Sequence, residues 1–328
     1  MHVVNRGVRF SVHFQFVLLL YSLCAVLISA CGGAPPDAGT DAATLSTPVD
    51  AGTAQTILPT ATVALDTAAL PLDGSGQPIV ARVNDAVVTL EEYQRTLARY
   101  RQQEYLFADD EALRAAVMGT LVEQRLIDQA AVQQNISISD DDLNRELSAY
   151  IEQAGGETGW STWLVQNGYT DAEFRETLRD SLTVNRMRDQ VTLVVLGELP
   201  QVRARHILVQ DEALAALILA QVQAGGDFAA LAAQHSIDQT SKDNGGDLGW
   251  FTREELTDET LAAVVFDLEP GALAGPVRSS LGYHIVQSLE RGSRPVDEAK
   301  RPQLAQVFFD RWLNSLIESS AIEYYLEN

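Results

Sequence analysis

Cysteine is almost missing from this 328-residue chain: Cys24 and Cys31 are the whole supply. No disulfide framework and no cysteine-ligated metal site can be built in the body of the protein. Basic residues are also scarce, 23 Lys and Arg against 45 Asp and Glu, for a net charge of −22. Phosphate backbones and anionic lipid surfaces are gripped by clustered Lys and Arg, so this balance argues against a nucleic-acid partner and against polybasic membrane binding. Histidine is limited to His2, His13, His206, His235 and His284. No HExxH run surrounds them and no GxSxG elbow occurs, which argues against a zinc protease site and a serine hydrolase. The expectation is a site with no metal and no cofactor.

What is present begins with a targeting pattern. Arg6 and Arg9 precede the charge-free run FSVHFQFVLLLYSLCAVLISA, the layout of a secretory signal. Ser29 and Ala30 then lead into Cys31, Gly32 and Gly33, an order that resembles the bacterial lipobox, in which the chain is cut before the cysteine and the cysteine is lipidated. Residues 1–30 are therefore expected to be a lipoprotein signal peptide and Cys31 the lipidation site. An uncleaved membrane helix is the other reading, because the run is near the minimum spanning length. Either way the body is held at a membrane, facing the outside. Residues 31–77 combine Cys31 with a stretch rich in Ala, Thr, Pro, Gly and Asp and free of aromatic and basic residues. Such a composition cannot bury enough apolar surface to offset its ordering entropy, which predicts a flexible tether.

Two kinds of sequence follow. Over residues 78–199, two short extended pieces, IVARV and AVV, flank Asn84-Asp85, and the rest reads as helix. Thr89 with Glu92, Ser139 with Asp142 and Thr170 with Glu173 are capping-box spacings. Leu113, Val117, Leu121, Ile127 and Ala131 make an apolar stripe at helical period. No nucleophile motif, phosphate loop or histidine occurs here. Over residues 200–292 the pattern becomes strand, helix, helix, strand, helix, strand, strand, which predicts a compact α+β domain with a four-stranded antiparallel sheet. Residues 293–328 return to helix, with Leu304, Phe308, Trp312 and Leu316 every four residues. That stripe is expected to pack on the first helical region, making the α+β domain an insertion.

All three histidines beyond the leader lie in the α+β domain. A lone strand histidine usually just completes a hydrogen-bond network. Two of them, His206 in RARHILV and His284 in GYHIV, can face each other across paired strands. With DFAALAAQHS, GGDLGWF and GALAGPV, these blocks resemble, in order and spacing, the parvulin peptidyl-prolyl isomerases. The whole arrangement is similar to the PrsA-type and SurA-type extracytoplasmic foldases, in which a helical chaperone domain carries an inserted parvulin domain.

The resemblance implies a fold, an activity and a set of site residues. His206, Asp238 and His284 fall on the family's catalytic positions. Leu248, Phe251, Leu256, Leu261 and Ser279 fall on its substrate-binding positions. Leu256 replaces the usual Met, Leu261 stands where many members have Phe, and Leu281 stands where a second hydroxyl is found near His284. The implied partners are unfolded or partly folded exported polypeptides containing X-Pro bonds, handled at the outer face of the cytoplasmic membrane. The alternative is a non-catalytic holdase with an idle parvulin domain. Phosphate-directed parvulins carry a basic loop after the first strand; here it reads VQDEAL, with Asp211 and Glu212, so no phosphate requirement is expected. One point of geometry stays open. Alternation places Leu248 and Phe251 on opposite faces of a regular strand, so using both in one pocket needs a bulge at Gly249 or a reach from the edge.

Overall fold

The computed structural model describes residues 70–102 and 107–326. The signal and lipidation readings at residues 1–30 and Cys31 lie outside them. The chain divides into two compact units, one running to residue 184 and resuming at 316, the other spanning residues 185–315.

The first unit is helical around a small sheet. Strands β1 (Ile79–Val83) and β2 (Ala86–Thr89) form a hairpin, and helices α1 (Leu90–Arg101), α2 (Asp110–Gln133), α3 (Asp140–Gln153), α4 (Glu157–Gln166) and α5 (Asp171–Thr192) follow. The caps explain where the helices start. Thr89 Oγ1 accepts from Glu92 N at 3.2 Å, yet Glu92 gives its carboxylate to Arg125 rather than closing the box. Thr170 and Glu173 form the full reciprocal box, at 2.8 and 3.2 Å. Leu113, Val117 and Leu121 of the α2 stripe cluster with Val80, Val83 and Val88 of the hairpin, and Ile127 and Ala131 are also buried. A second cluster gathers Trp160, Trp163 and Phe174; the two indoles stack, and Phe174 meets both edge to face.

One expectation changes here. Residues 70–77, read as tether from composition, belong to the fold. Leu70 packs on the hairpin core, Leu72 bridges Pro78, and Asp73 Oδ1 accepts from Ser75 N and Gln77 N, both at 2.8 Å. An Asx-type turn and one leucine suffice to order a segment whose average composition is that of a linker. The C-terminal stripe packs at both ends against residues of the 78–199 region. Helix α9 (Arg301–Ser319) places Leu304 and Phe308 beside Val195, Leu199 and Val296 of the second unit, whereas Leu316 and Ile317 pack on the hairpin core of the first. Strand β7 (Ile322–Tyr324), absent from the sequence expectation, pairs antiparallel with β1. Asn84, at φ +53, clasps it by accepting from Ala321 N at 2.9 Å.

The second unit has the expected four-stranded antiparallel sheet, in the order β4 (Asp247–Thr252), β3 (Glu198–Val209), β6 (Gly282–Pro295), β5 (Leu273–Ser279). Alternation along β3 and β6 sorts the side chains. Ile207, Val209 and Ile285 face helices α6 (Glu212–Gln223) and α7 (Phe228–His235), meeting Ile218 and Phe228. Val202, Ala204 and Val286 face the other way, toward Leu261 and Val265 of helix α8 (Glu259–Asp267). Each fully buried aliphatic side chain contributes on the order of 2 kcal/mol, so both faces of the sheet are packed beneath the site.

Candidate active site

His206 pairs with Val286 and Leu208 with His284 across β3 and β6, so the two imidazoles share the face that carries Ala204 and Val286. Both are buried. Their Nδ1 atoms lie 3.3 Å apart. His206 Nε2 lies 2.7 Å from Asp238 Oδ2, and Ser279 Oγ lies 2.7 Å from His284 Nε2. Ser279 Oγ also accepts from Leu281 N at 3.0 Å. Four side chains thus form one line, Ser279–His284–His206–Asp238.

The ends of the line limit its direction. Burial of Asp238 disfavours its charge, but hydrogen bonds from Ser241, Thr240 and His206 outweigh that and hold its carboxyl well below the usual range. The ionised group can only accept. At the other end, the Leu281 N–H can only donate. His284, pushed down to about 4 by burial and then by the neighbouring His206, is neutral at pH 7 and carries a single N–H. With a neutral His206, Ser279 donates to His284 Nε2, His284 Nδ1–H to His206 Nδ1, and His206 Nε2–H to Asp238. Every polar atom of the line is satisfied by one consistent run of donors. Leu281 contributes through its backbone amide, so the missing second hydroxyl leaves no gap at His284.

Local structure explains how Asp238 is held. Ser236 Oγ accepts from Leu208 N at 3.2 Å and from Asp238 N at 3.3 Å, tying the segment after α7 to β3. Asp238 Oδ1 accepts from Thr240 N at 3.0 Å and Thr240 Oγ1 at 2.7 Å, and Oδ2 accepts from Ser241 Oγ. Ser241, only 2% exposed, also accepts from Gly246 N through its carbonyl at 2.9 Å. Gly246 O in turn accepts from His206 N at 2.9 Å. The Gly245-Gly246 turn is therefore the clamp that joins the Asp238 loop to the His206 strand.

The apolar residues gather beside this line. Phe251 and Leu261 are buried together with Val202 and Val277, and Leu248 and Leu256 pack on them half-buried. The question of alternation resolves at Gly249. It sits at φ +70, the β3–β4 register slips between Arg203 and Arg205, and Asp247 Oδ1 accepts from Gly249 N at 2.8 Å. This bulge lets Leu248 and Phe251 reach one cluster, while Trp250 turns away to lie under Arg294, 4.3 Å from its ring centroid. Ser279 is held in the polar line by His284 rather than in the apolar cluster. Sequence reasoning passed over Ser241, Thr240 and Phe266. The run Asp238-Gln-Thr-Ser carries an Asx/ST-turn spacing that signals the first two. Phe266, on α8, meets Phe251 edge to face at 6.0 Å and supplies an aromatic wall beside Leu261.

Residues 204–290 match the model of the PPIC-type PPIASE domain, a rotamase, and residues 57–188 that of the SurA-like N-terminal domain. The foldase protein PrsA of Caldanaerobacter subterraneus subsp. tengcongensis is 28% identical over 285 residues, spanning 76% of this chain and 88% of its own. The foldase protein PrsA of Geobacillus sp. (strain WCH70) is 30% identical over 198 residues, spanning 56% of this chain and 68% of its own. A crystal structure of peptidylprolyl isomerase (PrsA) from Bacillus anthracis aligns at 29% identity with a TM-score of 0.40, over 60% of this chain and 94% of that one. With a rotamase domain around the buried histidine pair and a SurA-like domain before it, the chain belongs to the PrsA family of foldases and is a parvulin-type peptidyl-prolyl cis-trans isomerase.

Proposed function

We propose that the Ser279–His284–His206–Asp238 line and the pocket of Leu248, Phe251, Leu256, Leu261 and Phe266 act as one isomerase site. The observation that carries this is that the bulge at Gly249 puts the pocket on the same sheet face as the imidazoles. Rotation about an X-Pro bond faces a barrier of about 18–20 kcal/mol and takes tens to hundreds of seconds unaided. No bond breaks, so neither a nucleophile nor a metal is needed. The twisted amide has lost its resonance, and a dry pocket that grips the proline ring binds it better than the planar forms; that difference is the catalysis. The histidines hold the polar line in one arrangement, and Asp238 faces the rotating carbonyl as a fixed charge. The burial of Leu261 and the placement of Phe266 favour an active pocket over an idle one, because the aromatic absent at 261 is supplied from the next helical turn.

Leu248→Ala tests the pocket with little risk to the fold, since this side chain is only half-buried. In a proline-limited peptide assay of the full chain, kcat/KM is expected to fall about tenfold. Unchanged turnover would remove the pocket from the mechanism.

The substrates are unfolded polypeptides with X-Pro bonds, which the chain meets as a tethered foldase outside the cytoplasmic membrane. Cys31 is the anchor point in this reading, supported by the small residues before it and the apolar run upstream. Metabolic labelling with a fatty acid in a bacterial host should mark the chain and lose the mark in Cys31→Ala. Persistent label in that variant would rule out this anchor.

A further inference from the structure

Helices α1, α2 and α5 of the first unit border an open cleft that the isomerase reaction does not use. One wall is apolar and aromatic: Tyr169 is half-buried there, and the buried Tyr100, Leu121 and Phe174 reach the cleft only at their edges. The other end carries Glu176 and Asp180. The two arginines of the cleft are already engaged. Arg95 pairs with Glu91 at 3.0 Å and Glu173 at 3.5 Å, and Arg99 lies 4.7 Å over the Tyr169 ring. Arg125, the remaining nearby cation, is held by Glu92 and by the Val87 carbonyl. No ion pair among the described residues holds Glu176 or Asp180.

The electrostatics agree with an unfilled demand for positive charge. Burial, then Asp128 and Glu176, push the Asp180 carboxyl up to about 7; Glu92 adds to the effect and Arg125 opposes it. Asp128 is itself raised by its burial. A cation seated here would lower the cost of keeping these carboxylates ionised. The aromatic wall suits the stem of a long basic side chain and an apolar neighbour, because Lys and Arg lay their methylenes along apolar surface while the head keeps its charge partner.

We propose that this cleft binds unfolded polypeptide through a lysine or arginine side chain with an apolar neighbour, the basic head meeting Glu176 and Asp180 and the neighbour packing on the Tyr169 wall. The inference rests on the reading that the chain handles unfolded polypeptide, and it adds a side-chain preference separate from proline.

The test uses the full chain and labelled proline-free decapeptides with a central Lys-Phe, norleucine-Phe or Glu-Phe pair, which give the isomerase pocket no proline to grip. Fluorescence anisotropy should show the lysine peptide binding about tenfold tighter than the norleucine peptide. Asp180→Asn combined with Glu176→Gln should abolish that preference and leave the norleucine peptide unaffected. Glu176→Arg, at an exposed position, should shift preference toward the glutamate peptide. Turnover of an X-Pro peptide should be unchanged in both variants. Equal binding of the lysine and norleucine peptides to the unmodified chain, or a lysine preference that survives the double variant, would overturn the proposal. Absence of binding by all three peptides, with isomerase turnover intact, would overturn it together with the peptide-handling reading of the helical unit.

Discussion

Asp238→Ala is expected to lower kcat/KM for a proline-limited peptide on the order of 100-fold, as the loss of one preorganised electrostatic group at a reacting centre does elsewhere. The carboxylate accepts from His206 Nε2, Ser241 Oγ, Thr240 N and Thr240 Oγ1. Without it the His206 Nε2–H has no acceptor, and nothing holds the proton on that nitrogen. A proton moved to Nδ1 would then face the His284 Nδ1–H at 3.3 Å, two donors opposed, and the line back to Ser279 would lose its order. Asp238→Asn separates charge from shape. An amide oriented to accept from His206 turns its own NH₂ toward the donors of Thr240, so a substantial loss is expected there as well. Kinetics per folded molecule distinguish catalysis from stability, because a purely structural role lowers the folded fraction but not kcat/KM. Full turnover in Asp238→Ala, with client aggregation still suppressed, would restore the holdase reading.

Much of this site was legible in the sequence because its polar residues sit on regular elements. A histidine inside RARHILV and another inside GYHIV can only be strand residues, and two antiparallel strands of one small sheet place such residues within reach. The apolar pocket was legible as a list but not as a geometry. Strict alternation separates Leu248 from Phe251, and only the backbone at Gly249 shows how they meet. Phe266 escaped because a helix reports a face, not which member of that face touches a strand across the domain. The pairing of β7 with β1 escaped for a different reason. Three residues ending in a polar tail carry no periodicity, and the partner lies some 240 positions away in the chain, so only the closed fold makes the contact. Leu70 to Gln77 was hidden by averaging, since one leucine and one Asx turn do not move the composition of a long tether.

Gly246→Ala is expected to be the most damaging single substitution near the site, costing roughly 3 kcal/mol or more in urea unfolding and removing most of the isomerase activity. Two independent penalties coincide there. The backbone sits at φ +80, and a Cβ built on it would lie 2.2 Å from the carbonyl oxygen of His206. That oxygen belongs to an inner strand of the sheet and cannot yield as a flexible side chain would. Relief requires moving either β3 at His206 or the turn that receives the His206 N–H at 2.9 Å, and both shifts pull the imidazole away from Asp238 and His284. Gly249→Ala is the control. It has a similar φ, +70, but no heavy atom within 4 Å of the added methyl, so it should cost only the left-handed backbone penalty of about 1 kcal/mol and retain most activity. Equal losses in the two variants would mean that backbone conformation alone sets the cost and that the clamp between the glycine turn and the His206 strand does not hold the site together. A large gap, with turnover falling only at Gly246, would tie the double-glycine turn to the geometry of the histidine pair.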